Sequence, residues 1–178
     1  HLEQKIKGQT LKQIYDQWFS GPLEKEQAVI TNRLNEFEQQ MHYDYIEGFE
    51  KLIEDFHSHG VRTAVVTSSN MPKMESVYRH RPEFKSLFDA ILTSEDFEYS
   101  KPSPDCYLKA AQRFDAQSDE CVVFEDSFNG LKSGRAAKMK VVGLTTTNTL
   151  ESIAPLSDLQ IPDYNRISYE MLQSLLGS

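Results

Sequence analysis

Cysteine is scarce: Cys106 and Cys121 are the two in a chain of 178 residues. Two thiols cannot build the multi-bridge framework of a small secreted domain. They read instead as small buried hydrophobes of a reducing compartment. No run approaches the ~20 consecutive apolar residues of a membrane-spanning helix. Positive charge is also short, with 19 Lys and Arg against 27 Asp and Glu and a formal net charge of −8. A nucleic-acid-binding surface usually carries a basic excess, so that class is disfavoured. No basic-then-apolar leader opens the sequence, and there is no internal repeat or low-complexity tract. These absences lead us to expect a cytoplasmic monomer with neither a nucleic-acid nor a membrane partner.

Hydrophobic residues make up 39% of the chain, enough for a real core. Their spacing divides it into two textures. Residues 1–46 carry helical periodicity and no convincing strand. "LKQIYDQWF" (Leu11–Phe19) is a short amphipathic helix, Gly21–Pro22 breaks it, and Ile30, Leu34, Phe37 and Met41 form one apolar stripe on the next. From residue 47 onward, β-branched runs alternate with helical segments. "EGFEKLIEDFHSHG" predicts a helix stopped by Gly60. "VRTAVVTSS", "FDAILTSED", "CVVFED" and "VVGLTT" predict strands, with helices between them and a final helix at "YEMLQSLL". Ser103 is a candidate N-cap for "SPDCYLKAAQRF". Strands alternating with helices imply a parallel α/β sheet covered on both faces.

Open parallel sheets bind ligands at the carboxyl ends of their strands. The first of these runs ends in Thr67, Ser68, Ser69 and Asn70, the second leads to Lys101 in "SKPSPD", and the third ends in Glu125 and Asp126. Adjacent carboxylates repel unless a positive group stands beside them. With only oxygen ligands on offer, a hard divalent ion such as Mg²⁺ suits them. Hydroxyls and helix-start N–H groups suit phosphate oxygens. Metal, lysine and hydroxyls around one point describe a phosphoryl-transfer site. Each piece alone has an ordinary reading: "TSS" caps a helix, a lysine before proline is solvated, and an Asp at a strand end is an N-cap.

Order and placement together resemble the haloacid dehalogenase-like hydrolase superfamily, and within it the β-phosphoglucomutase-like phosphatases with a helical cap. "VVTSSN", "SKPSPD" and "VVFEDSFNG" resemble three successive family motifs, and "IKGQT" resembles the cap segment that precedes a family helix. The resemblance implies a Rossmann-like core over 47–178 and a small helical cap over 1–46. It implies that Thr67 binds the transferring phosphoryl group with Ser68 assisting, and that Lys101 stabilises the phosphoryl group and the nucleophile. Asp126 would hold Mg²⁺, with Glu125 as a second ligand or an outer acceptor, and Ser127 and Asn129 would brace their loop. Gln9, Thr10, Lys12 and Arg33 are candidate cap contacts to substrate.

The family's first motif, Asp-x-Asp-Gly, is missing: no two aspartates in this sequence are separated by one residue. The first of those aspartates is the family's nucleophile and the second its general acid/base. The resemblance puts their strand in the middle of the sheet, between "VVFED" and "VVTSS", so both cap and core are expected to be incomplete at the amino-terminal side. The expected activity is Mg²⁺-dependent hydrolysis of small phosphorylated metabolites, sugar phosphates foremost, through an aspartyl-phosphate whose Asp lies outside these residues. A phosphohexomutase and an inactive phosphate-binding member are the alternatives. Leu11 stands where the mutase branch carries a substrate-holding Arg, which favours the phosphatase.

Overall fold

The structure, a computed structural model, describes residues 44–177. All but the last three residues of the expected cap, including Gln9, Thr10, Lys12 and Arg33, lie outside the described residues. Among the described residues seven α-helices and five strands follow one another, every strand separated from the next by at least one helix. Helix α1 (Phe49–Ser58) buries Leu52, Ile53 and Phe56, at the three- and four-residue spacing of one helical face. Gly60, at φ +72°, lets the chain turn back after it, and the Val61 N–H reaches the Phe56 carbonyl.

Strand β1 (Ala64–Val66), helices α2 (Met71–His80) and α3 (Phe84–Leu87), and strand β2 (Ala90–Leu92) come next. Helix α4 (Asp105–Arg113) then leads to β3 (Val122–Glu125), α5 (Phe128–Ala136) and β4 (Lys140–Leu144). A short helix α6 (Leu150–Ile153), strand β5 (Leu159–Ile161) and helix α7 (Tyr169–Leu176) complete the described part. Pro104 occupies the cap position of α4, and the Ser103 hydroxyl accepts from the Asp105 N–H. Strand β5 was not anticipated: "LQI" is three residues long and too short to show a period of its own.

All strand pairs are parallel, as the alternation of strands and helices required. They form two pieces, β1–β2 and β3–β4–β5. Along β4, Val141 faces one side of the sheet and Val142 the other, following the two-residue period of a strand. Val141 packs with Val123, Leu131, Tyr107 and Met139 under α4 and α5. Val142 packs with Leu144, Ile161, Phe56 and Leu172 under α1 and α7. Each fully buried aliphatic side chain in these two clusters contributes roughly 1.5–3 kcal/mol. Cys106 is fully buried and Cys121 half-buried, both as free thiols.

Between the two pieces lies a cavity of about 760 Å³. One wall is β1 (Ala64, Val65, Val66) and the other is β3 (Val122, Val123, Phe124), with Phe56 and Tyr107 also lining it. Among the described residues, β1 pairs only with β2 and β3 only with β4, so each turns an open edge toward this cavity. The middle strand inferred from the resemblance was expected at this place.

Candidate active site

The carboxyl ends of β1 and β3 and the loop before α4 are joined by one side chain. Lys101 is 5% exposed, so it is no solvated loop residue. Its Nζ donates to the Val66 carbonyl at the end of β1 (3.0 Å) and to Oε1 of Glu125 at the end of β3 (2.5 Å). It also stands 5.0 Å from the centre of the Tyr107 ring. The Tyr107 hydroxyl donates to the same Oε1 at 2.6 Å, and the Ser127 hydroxyl donates to Oε2 at 3.3 Å.

Glu125 is therefore buried and paired. Burial pushes its carboxyl up, but the Lys101 charge and the bonds from Lys101 and Tyr107 outweigh this and hold it below the usual carboxylate range. Tyr107 goes the other way: burial, then the Glu125 charge, pushes its hydroxyl well above its ordinary value. Gly130 makes the arrangement sterically possible. A Cβ at that position would stand 2.0 Å from the Glu125 carboxyl carbon.

The ordinary readings of the motif pieces can now be compared with their positions. Helix α2 is capped by Asn70, whose Oδ1 accepts from the Lys73 N–H at 3.1 Å. The Thr67 hydroxyl donates to the Ser69 hydroxyl (2.9 Å) and accepts from the Ser69 N–H (3.1 Å), while its backbone N–H bonds the Leu92 carbonyl. Helix α5 is capped by Ser127, whose hydroxyl accepts from Gly130 N–H at 3.0 Å, and not by Asp126. Asn129 lies on the first turn of α5, and its side chain makes no hydrogen bond among the described residues. His57 and His59 sit at the end of α1, with partners on that helix or beside it.

Two residues that sequence reasoning passed over hold Asp126. The Thr147 hydroxyl donates to Oδ2 of Asp126 at 2.6 Å, and the Asn148 amide donates to the Asp126 backbone carbonyl at 2.9 Å. Both lie in the loop after β4. Their sequence signal is the hydroxyl-rich "TTTNT" after an apolar run, the same kind of strand ending that drew notice to "TSSN". Asp126 is half-buried, and no described residue donates to its Oδ1.

Adjacent Glu125 and Asp126 raised the question of a positive partner. Glu125 has one in Lys101. The atoms Asp126 itself offers are carboxylate oxygens, which fit a hard divalent cation in kind. Among the described residues no group of three metal-ligating side chains comes together.

A profile described as "Haloacid dehalogenase-like hydrolase" matches residues 3–144. The chain belongs to that family. It is 33% identical over 120 residues to fructose-1-phosphate phosphatase YqaB of Escherichia coli, which covers 67% of this chain and 58% of the relative. It is 34% identical over 99 residues to the bifunctional riboflavin kinase/FMN phosphatase of Arabidopsis thaliana, covering 56% of this chain and 26% of that protein. The chain thus spans less than two thirds of either relative. The crystal structure of β-phosphoglucomutase from Clostridium difficile superposes with a TM-score of 0.79 at 19% identity, covering 98% of this chain and 80% of that one. This likeness shows a shared fold, the α/β architecture expected from the sequence. No helix among the described residues is long and apolar enough to cross a membrane.

Proposed function

We propose that this chain belongs to a Mg²⁺-dependent phosphomonoester hydrolase acting on small phosphorylated metabolites, sugar phosphates foremost. The observation that carries the reading is Lys101, a buried ammonium held between the end of β1 and the end of β3 and bonded to Glu125, the residue before Asp126. The sugar-phosphate and FMN phosphatases among the relatives support the substrate class.

In this reading Thr67, which does not cap α2, turns its hydroxyl proton from Ser69 to the phosphoryl oxygens, and the Ser68 backbone assists. Lys101 stabilises charge that builds on the phosphoryl group, already fixed in place before the reaction begins. Asp126 holds Mg²⁺, which neutralises phosphate charge when bound. Glu125 acts from outside the coordination shell, fixing Lys101. Attack in line needs a further carboxylate. The open edges of β1 and β3 favour its arrival on a strand in the cavity between them, from a segment outside these 178 residues. As that carboxylate bonds to phosphorus, the P–O ester bond breaks. A second carboxylate of the same segment gives its proton to the leaving oxygen and then takes one from the water that releases phosphate from the aspartyl-phosphate.

The test is phosphate release from a panel of sugar phosphates by the full-length protein with Mg²⁺. Asp126→Ala is expected to abolish Mg²⁺-dependent turnover with the fold intact. Lys101→Ala is expected to lower kcat by about 100-fold or more, the scale for one preorganised charge. Residues 1–178 alone are expected to be inactive. Full activity in the Asp126 variant, or a rise in KM alone in the Lys101 variant, would show the roles to be misassigned.

A further inference from the structure

Asp126 is gripped at two points by one loop. Thr147 occupies Oδ2 through a 2.6 Å bond from a hydroxyl to a carboxylate, the short geometry of a charge-assisted hydrogen bond. Asn148 fixes the backbone carbonyl of the same residue. The loop is itself tied at both ends. The Thr145 N–H bonds the Ile161 carbonyl of β5 at 3.0 Å, and Thr149 caps α6 by accepting from the Ser152 N–H. The Thr147 bond takes one of the two lone-pair sites on Oδ2 and fixes the plane of the carboxylate, so binding one ion through both oxygens has to crowd or displace that bond.

Divalent cations differ in what they ask of a carboxylate. Mg²⁺ keeps near-ideal octahedral geometry at about 2.0–2.1 Å and takes one oxygen per ligand, whereas Ca²⁺ accepts six to eight oxygens at about 2.3–2.6 Å and often binds a carboxylate through both. We propose that Thr147 is a metal-specificity residue, which by engaging Oδ2 of Asp126 makes Oδ1 the better-exposed oxygen, weighs against binding through both oxygens and so disfavours Ca²⁺ relative to Mg²⁺. The inference rests on the reading of Asp126 as the metal ligand. It assigns to a loop residue outside the recognised motifs a role in choosing the ion. A merely structural bond would not produce this effect, since losing it would weaken both ions by one common factor.

The experiment is calorimetric titration of the full-length protein with Mg²⁺ and, separately, with Ca²⁺, without substrate. Thr147→Val keeps the shape and removes the hydroxyl. It is expected to raise Ca²⁺ affinity relative to Mg²⁺ by about tenfold, a change of about 1.4 kcal/mol between the two ions. Thr147→Ser restores the hydroxyl and is expected to restore the wild-type ratio. Thr147→Ala gives a second deletion of the donor if the valine variant folds poorly. Asp126→Asn is expected to remove binding of both ions. An unchanged Ca²⁺-to-Mg²⁺ ratio in Thr147→Val and Thr147→Ala, with binding lost in Asp126→Asn, overturns the role of Thr147 and leaves the ligand reading standing. Wild-type affinities in Asp126→Asn overturn both.

Discussion

Replacing Lys101 by Met separates the structural role of this lysine from its chemical one. The side chain is 6% exposed and its partner Glu125 9%, so water cannot take over when the ammonium is removed. Glu125 would keep its bonds from Tyr107 and Ser127 but lose its only close cation among the described residues, and the Val66 carbonyl would lose a 3.0 Å donor. Removing one partner of a buried ion pair costs about 3–5 kcal/mol, because the remaining charge is left uncompensated. That is a large share of the ~5–15 kcal/mol that holds a domain folded. At a urea slope of about 2 kcal/mol/M, the unfolding midpoint should fall by about 2 M. The loss should depend on pH. In the wild type the folded-state pKa of Glu125 is depressed, so its stabilisation is present above the ordinary value of 4.5 and fades as pH falls through the folded value. In the variant the depressing charge is gone, and protonating Glu125 relieves the unpaired carboxylate. The gap between the two proteins should therefore be widest near neutrality and shrink toward pH 4. Adding Glu125→Gln to Lys101→Met should recover most of the lost stability at pH 7. A midpoint shift equivalent to less than about 1 kcal/mol at pH 7, or a gap that stays constant with pH, would refute the argument.

Two further substitutions probe the same network. Tyr107→Phe keeps the ring beside Lys101 but removes the donor to Glu125, and should cost about 1.5–3 kcal/mol in urea unfolding, the scale for a hydrogen bond to a charged group. Gly130→Ala would force the Glu125 carboxyl to move, since the new Cβ stands 2.0 Å from it. It should destabilise by about 1–3 kcal/mol and lower phosphatase activity together, whereas a fully active, stable variant would show that Glu125 has room to shift.

Much of this protein is legible in its residue order. Alternation of β-branched runs with helical periods dictates a parallel α/β sheet, because parallel strands need crossovers and those crossovers cover both faces. The same order puts Thr67, Lys101, Glu125 and Asp126 at strand ends or on the loops that follow, the rim where such sheets bind ligands. Tertiary structure decided what those positions do to one another. Adjacent acids in "FED" look equivalent in sequence, yet Glu125 turns into the core against Lys101 and Tyr107 while Asp126 stays half-buried against Thr147 and Asn148. Consecutive strand residues point to opposite sides, and which side is buried depends on packing from α4 and from the β4 loop, neighbours 18 to 22 residues away in the chain. Local periodicity carries no information at that separation. Likewise, a three-residue strand such as β5 exists only because β4 presents an edge for it to pair with.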